Sequence, residues 1–248
     1  MLFVGNGRSG TELTGNLLNA HPEMLLTGGS GVRVHELLHE SFEAVLGRII
    51  ETRERFDQNP VSWGINYRVP VPPAPADSKL RVIGDKSAPF TAEALDNDSA
   101  LLQRIREWCP LPLRFIHCVR NPYDCIGAKV KRSGESFGNK MEKTFRYERA
   151  AAETQRLVGE ILHRGYLEDL IASPHAALRG LYGHLGLEAG EEHLNACASI
   201  LYETPEQSRF QVQWPAWAVA EVERRARALP HLHRYLDEDG RLPFGAPA

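Results

Sequence analysis

The first residues of the chain contain a glycine-rich segment of the kind that binds phosphate-like anions. It reads Gly-Asn-Gly-Arg-Ser-Gly-Thr-Glu over residues 5–12, after a short apolar run, Leu2 to Val4, and before a helical pattern. Glycines let backbone N–H groups surround an anion, and the start of the next helix adds a favourable dipole. The plainer interpretation of this segment is a tight strand-to-helix turn in which Arg8 is incidental.

The loop lacks two residues that a nucleoside triphosphate site needs. The spacing of Gly5 and Gly10 matches a Walker A loop, but Thr11 and Glu12 stand where that loop has Lys and then Ser or Thr. Without the lysine nothing reaches the β- and γ-phosphates, and without the hydroxyl the first Mg²⁺ ligand is missing. The cation comes earlier instead, as Arg8. The pattern therefore favours an anion bound without a metal and counts against an NTPase.

A second anion-binding residue is expected at Arg120. It follows residues 113–119, the most strand-like run of the chain, and the carboxyl ends of strands are where open α/β sheets bind ligands. A Walker B strand ends in Asp to hold Mg²⁺, whereas the forked donors of an arginine bind phosphate directly. Taken alone, Arg120 is explained equally well by a structural salt bridge with Asp124.

Strands alternate with helices along the chain, which predicts a parallel sheet covered on both faces. Residues 81–84 are predicted to form a third strand that ends before Asp85. The predicted helices span residues 34–56, 140–163, 174–185, 190–201 and 215–229, and another begins at Pro122 with Asn121 as its N-cap. We expect an α/β fold of the P-loop-NTPase-like three-layer type, with a helical C-terminal third, and one domain over residues 1–248.

Composition narrows the class of protein. A chain of 248 residues with 42% hydrophobic and 25% charged residues can bury a large core. A net charge of −3 argues against a nucleic-acid partner that needs bulk positive charge, and the N-terminal apolar run is too short for a signal peptide or a membrane span. The four cysteines, which lack metal-site spacing, are interpreted as small buried hydrophobes: Cys109, Cys118, Cys125 and Cys197. We therefore expect a cytoplasmic protein without membrane partners, and its oligomeric state cannot be read from the sequence.

Two further segments have structural interpretations. Residues 69–78 are rich in proline and are expected to form a surface loop rather than a linker between domains, because too few residues precede them to bury a core. The aromatic stretch from Trp63 to Tyr67 could line an acceptor pocket, but we expect it to fill the core.

Four segments, in chain order, resemble motifs of the sulfotransferases that use 3′-phosphoadenosine 5′-phosphosulfate (PAPS). The stretch from Arg8 to Pro22 is similar to the 5′-phosphosulfate loop, and residues 84–87, Gly-Asp-Lys-Ser, are similar to the motif with the catalytic lysine. Residues 115–124 resemble the 3′-phosphate motif, and residues 166–174 resemble a recurring C-terminal stretch. The likeness runs from residue 2 to about 190 and is closest to the tyrosylprotein and carbohydrate branch.

The resemblance implies a donor site. The residues that it places around the 5′-phosphosulfate are Arg8, Ser9, Gly10, Thr11 and Glu12. It assigns the 3′-phosphate to Arg120, with Arg209 as a further candidate, and it puts Ala128 where the family usually has a serine. The missing hydrogen bond is expected to weaken donor binding or to come from Lys129 or Ser133.

The implied reaction is transfer of the sulfuryl group to a small-molecule, carbohydrate or peptide acceptor, without a metal. Lys86 and Arg8 would neutralise charge on the leaving phosphate. The family's glutamate base is absent from residues 26–33, so His35 and Glu36 are the candidates. Two alternatives remain open, a P-loop kinase with Asp85 as its Walker B-like residue and a degenerate family member that binds the nucleotide without turnover.

Overall fold

The computed structural model describes residues 1–27, 33–58, 67–72 and 79–245, and within them five strands form one parallel sheet. The strands are β1 (Leu2–Gly5), β2 (Met24–Thr27), β3 (Val82–Asp85), β4 (Phe115–Val119) and β5 (Leu162–Tyr166). Their order across the sheet is β2-β3-β1-β4-β5, so β1 lies in the middle.

The helices of the described residues follow the strands in alternation over the first two thirds of the chain. They are α1 (Thr11–Asn19), α2 (Phe42–Gln58), α3 (Ala88–Asn97), α4 (Leu101–Trp108), α5 (Pro122–Ser133), α6 (Phe137–Val158), α7 (Leu167–Ala172), α8 (Pro174–His184), α9 (Glu191–Ala198) and α10 (Ala216–Arg227). Short 3₁₀ helices occupy residues 34–36, 159–161, 208–211 and 230–235.

Strand β1 shows why helices cover both faces of the sheet. Its side chains alternate between two apolar clusters: Phe3 packs with Leu17 of α1, whereas Leu2 and Val4 pack with Ile105 of α4. A strand that buries both of its faces needs apolar side chains on each face, as Leu2, Phe3 and Val4 provide in β1. The α/β fold with a central parallel sheet, predicted from the alternation of elements, is confirmed.

The carboxyl ends of the inner strands lie at the same edge of the sheet. Gly5 of β1 is in register with Cys118 of β4, and β1 also pairs with β3. The glycine-rich loop follows β1, Lys86 follows β3 and Arg120 follows β4. The fold therefore gathers at one edge the three segments that the sequence singled out.

The helix predicted over residues 34–56 was wrong at its start. Residues 34–36 form a separate 3₁₀ turn, and α2 begins only at Phe42. The hydroxyl of Ser41 accepts a hydrogen bond from the N–H of Ala44 at 3.2 Å, so a serine cap sets the start of α2. As a result His35 lies on a tight turn rather than on a helix face.

Two edge strands were missed. The helix predicted over residues 140–163 ends at Val158, because Gly159 adopts a positive φ of 59° and breaks it, and residues 162–166 form β5. The sequence analysis predicts no strand between His21 and residue 28, where the structure has β2. Both strands lie at the borders of the sheet and pair with one neighbour each.

The remaining structural expectations have mixed outcomes. All four cysteines are free and three are buried, but Cys109 is half-buried. Residues 69–72 form neither helix nor strand, while residues 73–78 and the stretch 63–66 lie outside the described part of the chain. Tyr67 packs at the border of the core cluster around α1 and α8. Among the described helices, none combines the length and the apolar character that crossing a bilayer requires.

Candidate functional site

The glycine-rich loop takes a backbone conformation that suits anion binding. Gly5, Arg8 and Gly10 have φ values of 119°, 69° and 92°, which lie in the region that favours glycine. The hydroxyl of Ser9 donates to the carbonyl of Asn6 at 2.7 Å, so the loop is braced from within. Arg8 is the non-glycine exception, and its side chain is exposed at the edge of the sheet.

The first turn of α1 has no side chain that caps it. Its N-cap residue is Gly10, and the first helical bond, from the N–H of Thr14, goes back to the Gly10 carbonyl at 2.8 Å. The N–H groups of residues 11–13 therefore lack intrahelical partners and carry the positive end of the helix dipole. An anionic group at this position would be stabilised by both effects.

Lys86 extends from the end of β3 to this same turn. Its ammonium group donates to the carboxylate of Glu12, and its side chain is only 8% exposed. The aliphatic stem lies directly over Gly15: a Cβ atom added there would be 2.6 Å from Cδ of Lys86. Glu12, which the resemblance placed among the donor-binding residues, is therefore the counter-ion of the predicted catalytic lysine in this structure.

Arg120 is joined to the glycine-rich loop. Its Nη1 atom donates to the backbone carbonyl of Arg8 at 3.1 Å, and its Nη2 atom donates to the carbonyl of Glu206 and lies 3.4 Å from the hydroxyl of Ser208. The side chain is buried, and its Nε–H has no partner. The structure thus brings the two predicted anion-binding segments into contact.

Arg209 lies beside Arg120 but is bound to an acid. Its backbone N–H and its Nη1 atom donate to the carboxylate of Asp124 at 3.0 and 3.1 Å. Asp124 therefore forms its salt bridge with Arg209, whereas the alternative interpretation of Arg120 expected one between Arg120 and Asp124. The 3₁₀ turn at Ser208 can lie close to α5 because Gly127 has no side chain: a Cβ there would meet the Ser208 carbonyl at 2.8 Å. The Nε–H of Arg209 is buried without a partner, like that of Arg120.

The residues expected to replace the family serine at Ala128 point elsewhere. Ala128 is buried on α5. The ammonium group of Lys129 turns inward and donates to the amide oxygen of Asn6 and to the hydroxyl of Thr144. The hydroxyl of Ser133 is bound to the Lys129 carbonyl, one turn back along the helix. In this structure the polar groups of Lys129 and Ser133 are therefore engaged by other residues of the chain.

His35 and Glu36 have different surroundings. The carboxylate of Glu36 is bound by Arg33 at 2.8 Å, and the Arg33 guanidinium stacks on the ring of Phe90. The side chain of His35 is 10% exposed and its Nδ1 atom is buried without a partner. Burial lowers the pKa of His35, and Arg33 adds to that effect while Glu36 opposes it. The histidine is thus the freer of the two groups to accept a proton.

A buried polar cluster beneath the loop escaped the sequence analysis. Asn6, fully buried, donates to Glu148 at 2.6 Å, and the other oxygen of Glu148 lies 3.1 Å from His117 and 2.7 Å from His231. Since Arg164 donates to Nδ1 of His117, the proton of that ring sits on Nε2 and faces the carboxylate. Burial alone would raise the pKa of Glu148, but the two imidazoles hold it below its ordinary value. Hydrogen bonds from Asn6 and His231 hold Glu148, whereas Nε2 of His117 lies near it without a hydrogen bond. The cluster ties the loop to α6 and to the C-terminal 3₁₀ turn.

The predicted site residues fall into two groups, at two ends of the arrangement. One end is the uncapped first turn of α1 with Arg8 and Lys86, and the other end is the pair of unpartnered Nε–H groups on Arg120 and Arg209. The Arg120–Arg8 hydrogen bond fixes these ends relative to each other. Preorganised cations of this kind stabilise charge that develops on a leaving group.

The sequence profile of the sulfotransferase family matches residues 2–191, which include the glycine-rich loop, Lys86 and Arg120. No protein of curated function matches the chain in sequence.

Several solved structures share the fold. The sulfotransferase domain of the olefin synthase from Synechococcus PCC 7002 superposes with a TM-score of 0.56, at 16% identity over 92% of each chain. The sulfotransferase domain from the curacin biosynthetic pathway gives 0.52, at 16% identity over 92% of this chain and 96% of that one. A sulfotransferase from Alicyclobacillus acidocaldarius gives 0.51, at 14% identity over 93% and 95%.

Proposed function

The chain belongs to the sulfotransferase family, and from that premise we propose that it transfers the sulfuryl group of PAPS to a hydroxyl or amine of an acceptor. The observation that carries this proposal is the hydrogen bond from Arg120 to the carbonyl of Arg8, which joins the two segments proposed to bind anions. PAPS is an adenosine ligand with a charged group at its 3′ and its 5′ position. A protein that recognises both groups needs two cationic pockets of this kind.

The loop side of the site is proposed to hold the 5′-phosphosulfate. The residues assigned to it are Arg8, Ser9, Gly10 and Thr11, chiefly through backbone N–H groups. Lys86 and Arg8 are proposed to neutralise the leaving phosphate as its bond to sulfur breaks. The position of Lys86 over the first turn of α1 supports this role, because its ammonium lies where the helix end already favours negative charge.

The other side is proposed to hold the 3′-phosphate. Arg120 and Arg209 each have a buried Nε–H without a partner, and such groups are rare unless a ligand or water satisfies them. Hydrogen bonds from a guanidinium to a charged group contribute roughly 1.5–3 kcal/mol. Two such bonds would compensate for the serine that Ala128 replaces.

The proposed reaction is an in-line displacement at sulfur. The acceptor oxygen or nitrogen forms a bond to sulfur, the bond from sulfur to the 5′-phosphate oxygen breaks, and adenosine 3′,5′-bisphosphate leaves. The acceptor's proton goes to His35, whose unpartnered Nδ1 atom supports that assignment over Glu36. The acceptor is proposed to be a small molecule, a carbohydrate or a peptide.

A thermal-shift comparison tests the donor class. Adenosine 3′,5′-bisphosphate should raise the unfolding temperature, whereas AMP and ATP at the same concentration should not, since a ligand that binds only the folded state stabilises it by mass action. Arg120→Gln should abolish the selectivity, and Arg132→Gln, which removes an exposed arginine near the end of α5, is the matched control. An equal response to AMP, ATP and the bisphosphate would contradict the proposal.

One alternative retains support from the structure. Glu12 lies in the turn proposed to bind the 5′-phosphosulfate and pairs with the ammonium group of Lys86. Ala128 stands where the family usually has a serine near the 3′-phosphate. Both features are compatible with a degenerate family member that binds the nucleotide without turnover. Incubation with PAPS and a broad panel of acceptors, with and without a chelator, distinguishes sulfuryl transfer from nucleotide binding without turnover. Bisphosphate release that depends on the acceptor and ignores the chelator supports transfer, whereas tight binding without release supports the degenerate member.

A further inference from the structure

We propose that Asp85 is a positioning residue that holds the two catalytic segments of the acceptor side together, an inference that rests on the proposed function. Asp85 is the last residue of β3 and is fully buried. Its Oδ2 atom accepts a hydrogen bond from the N–H of Val34 at 3.2 Å, and its Oδ1 atom accepts one from the N–H of Ser87 at 2.8 Å. Val34 immediately precedes His35, and Ser87 immediately follows Lys86.

The residue type follows from these two bonds. A carboxylate can accept from two separate N–H groups through two oxygens, whereas an amide of the same size offers one accepting oxygen. Burial raises the pKa of Asp85 to about 6, and the bonds from Ser87 and Val34 act in the opposite direction. At neutral pH the group is therefore ionised and both oxygens accept. Keeping a buried charge is costly, so hydrogen bonds must compensate for its loss of solvation.

The bond to Val34 is the part of this arrangement that matters for His35. Lys86 is already held by other contacts, since its N–H donates to the Thr27 carbonyl at 2.9 Å and its stem lies over Gly15. Among hydrogen bonds between described residues, the bond from Val34 to Asp85 is the one that joins residues 33–36 to the sheet. Asp85 therefore sets the position of the proposed base relative to the proposed charge stabiliser.

Transfer in line depends on that relative position. A displacement of about 1 Å in a reacting geometry can lower a rate on the order of 10²-fold. The proposed donor-binding residues lie in the loop after β1, at the start of α1, directly after β4 and on the 3₁₀ turn 208–211. Loosening residues 33–36 should therefore lower kcat and leave the affinity for adenosine 3′,5′-bisphosphate unchanged. A general loss of structure would lower both.

A backbone substitution tests the bond directly. Val34 is the first residue of its 3₁₀ turn, and Arg33 before it has an extended backbone, with φ −112° and ψ 99°. Proline is compatible with this position, where it removes the N–H and puts an apolar ring in place of the isopropyl group. Val34→Ala, which keeps the N–H but loses side-chain volume, is the matched control. We expect kcat with PAPS and the acceptor found in the panel to fall about tenfold or more in Val34→Pro, as for a lost bond to a charged group, and to fall less in Val34→Ala.

A second variant keeps the test independent of an acceptor. Asp85→Asn should speed amide hydrogen exchange at Val34 or Ser87 about tenfold or more, because one of the two N–H groups loses its partner. Asp96→Asn, an exposed position on α3, is the control. The proposal is overturned if Val34→Pro matches Val34→Ala in kcat, if bisphosphate affinity falls in step with kcat, or if exchange in Asp85→Asn is unchanged. Bisphosphate binding by the unmodified chain is measured first, so a failure of the proposed function would be seen separately.

Discussion

The ammonium group of Lys86 lies against the carboxylate of Glu12 at the first turn of α1, although the two residues are 74 positions apart in the chain. The pair joins the end of β3 to the start of α1, the helix proposed to bind the 5′-phosphosulfate. It also holds the lysine extended in this structure, where an incoming anion would compete with Glu12 for the same ammonium. Reactivity at this site should therefore depend on how freely Lys86 can exchange one anionic partner for another.

Lys86→Ala should lower turnover on the order of 10²–10³-fold, the usual effect of removing one positioned charge stabiliser. The rate of bisphosphate release from PAPS in the presence of acceptor measures it. Lys79→Ala, which removes an exposed cation shortly before β3, should leave the rate unchanged. Near-normal turnover in a folded Lys86→Ala protein would remove this residue from the mechanism.

Gly15→Ala should displace Lys86 without removing it. The added Cβ would lie 2.6 Å from Cδ of the lysine, closer than any stable contact, so the stem must move and carry the ammonium with it. We expect kcat to fall about tenfold. In Gly183→Ala the added Cβ meets no atom within 4 Å, so this change within α8 should stabilise the fold by about 0.5–1 kcal/mol and leave kcat intact. Equal kcat values in the two variants would show that the stem accommodates the methyl group.

The pH dependence of turnover should identify the base. His35 must be neutral to accept a proton, and burial lowers its pKa below the ordinary 6.5, so the rate should rise with pH through that lowered pKa and then level off. His35→Gln should lower kcat about 10²–10⁴-fold at neutral pH, and the ratio of wild-type to variant rates should shrink at acidic pH. The ratio cancels titrations that both proteins share, including that of Asp85. Glu36→Gln should keep the wild-type plateau and shift the rise of the profile to lower pH, because the charge of Glu36 raises the pKa of His35. A constant ratio for His35→Gln would exclude the histidine.

Lys129 should make stability rise with pH in the alkaline range. Burial lowers its pKa from 10.5 to about 8 in the folded protein. Between these values the unfolded chain binds a proton that the folded chain does not, so raising the pH favours folding. Relative to Lys129→Met, the unfolding free energy of the wild type should increase from about pH 8 to 10.5 and stay level below pH 8. Urea unfolding at several pH values measures this, and the exposed Lys131→Met is the control. A difference that does not change with pH would mean that Lys129 keeps its proton in the folded state.

The elements that carry the donor motifs were predictable because their signals are local. Glycines around Arg8 mark a turn directly after an apolar strand, and Asn121 followed by Pro122 marks a helix start. The structure confirms that start, since the Asn121 side chain accepts from the N–H of Tyr123 at 3.0 Å. Such signals depend on a few neighbouring residues, so they can be recognised without knowledge of the rest of the fold.

Strands β2 and β5 could not be read in the same way. Strand β5 contains His163, Arg164 and Gly165, which have weak strand preference by themselves. Their conformation comes from pairing with β4, which lies more than 40 residues earlier in the chain. Short strands whose stability depends on a distant partner leave little trace in their own sequence.

Most of the contacts that complete the site are also long-range. Arg120 meets Glu206 and Ser208 across 86 and 88 positions, and Lys129 meets Asn6 across 123. From the sequence, both Arg120 and Lys129 were candidates for the predicted 3′-phosphate site. The sequence did not indicate which of the two side chains would face that site. Only the packing of α5 against the loop and α6 turns Lys129 inward and leaves Arg120 at the strand end.

The left-handed conformation of Arg8 lowers the stability of the fold, whereas its cationic side chain is proposed to serve catalysis. An L-residue at φ 69° costs roughly 1–2 kcal/mol that glycine avoids, so Arg8→Gly should yield a more heat-resistant chain. A laboratory selection for thermal tolerance alone would therefore be expected to enrich the glycine variant and to discard a cation that we propose acts on the donor. Engineering this protein for robustness should leave that arginine untouched and seek its gains elsewhere in the fold.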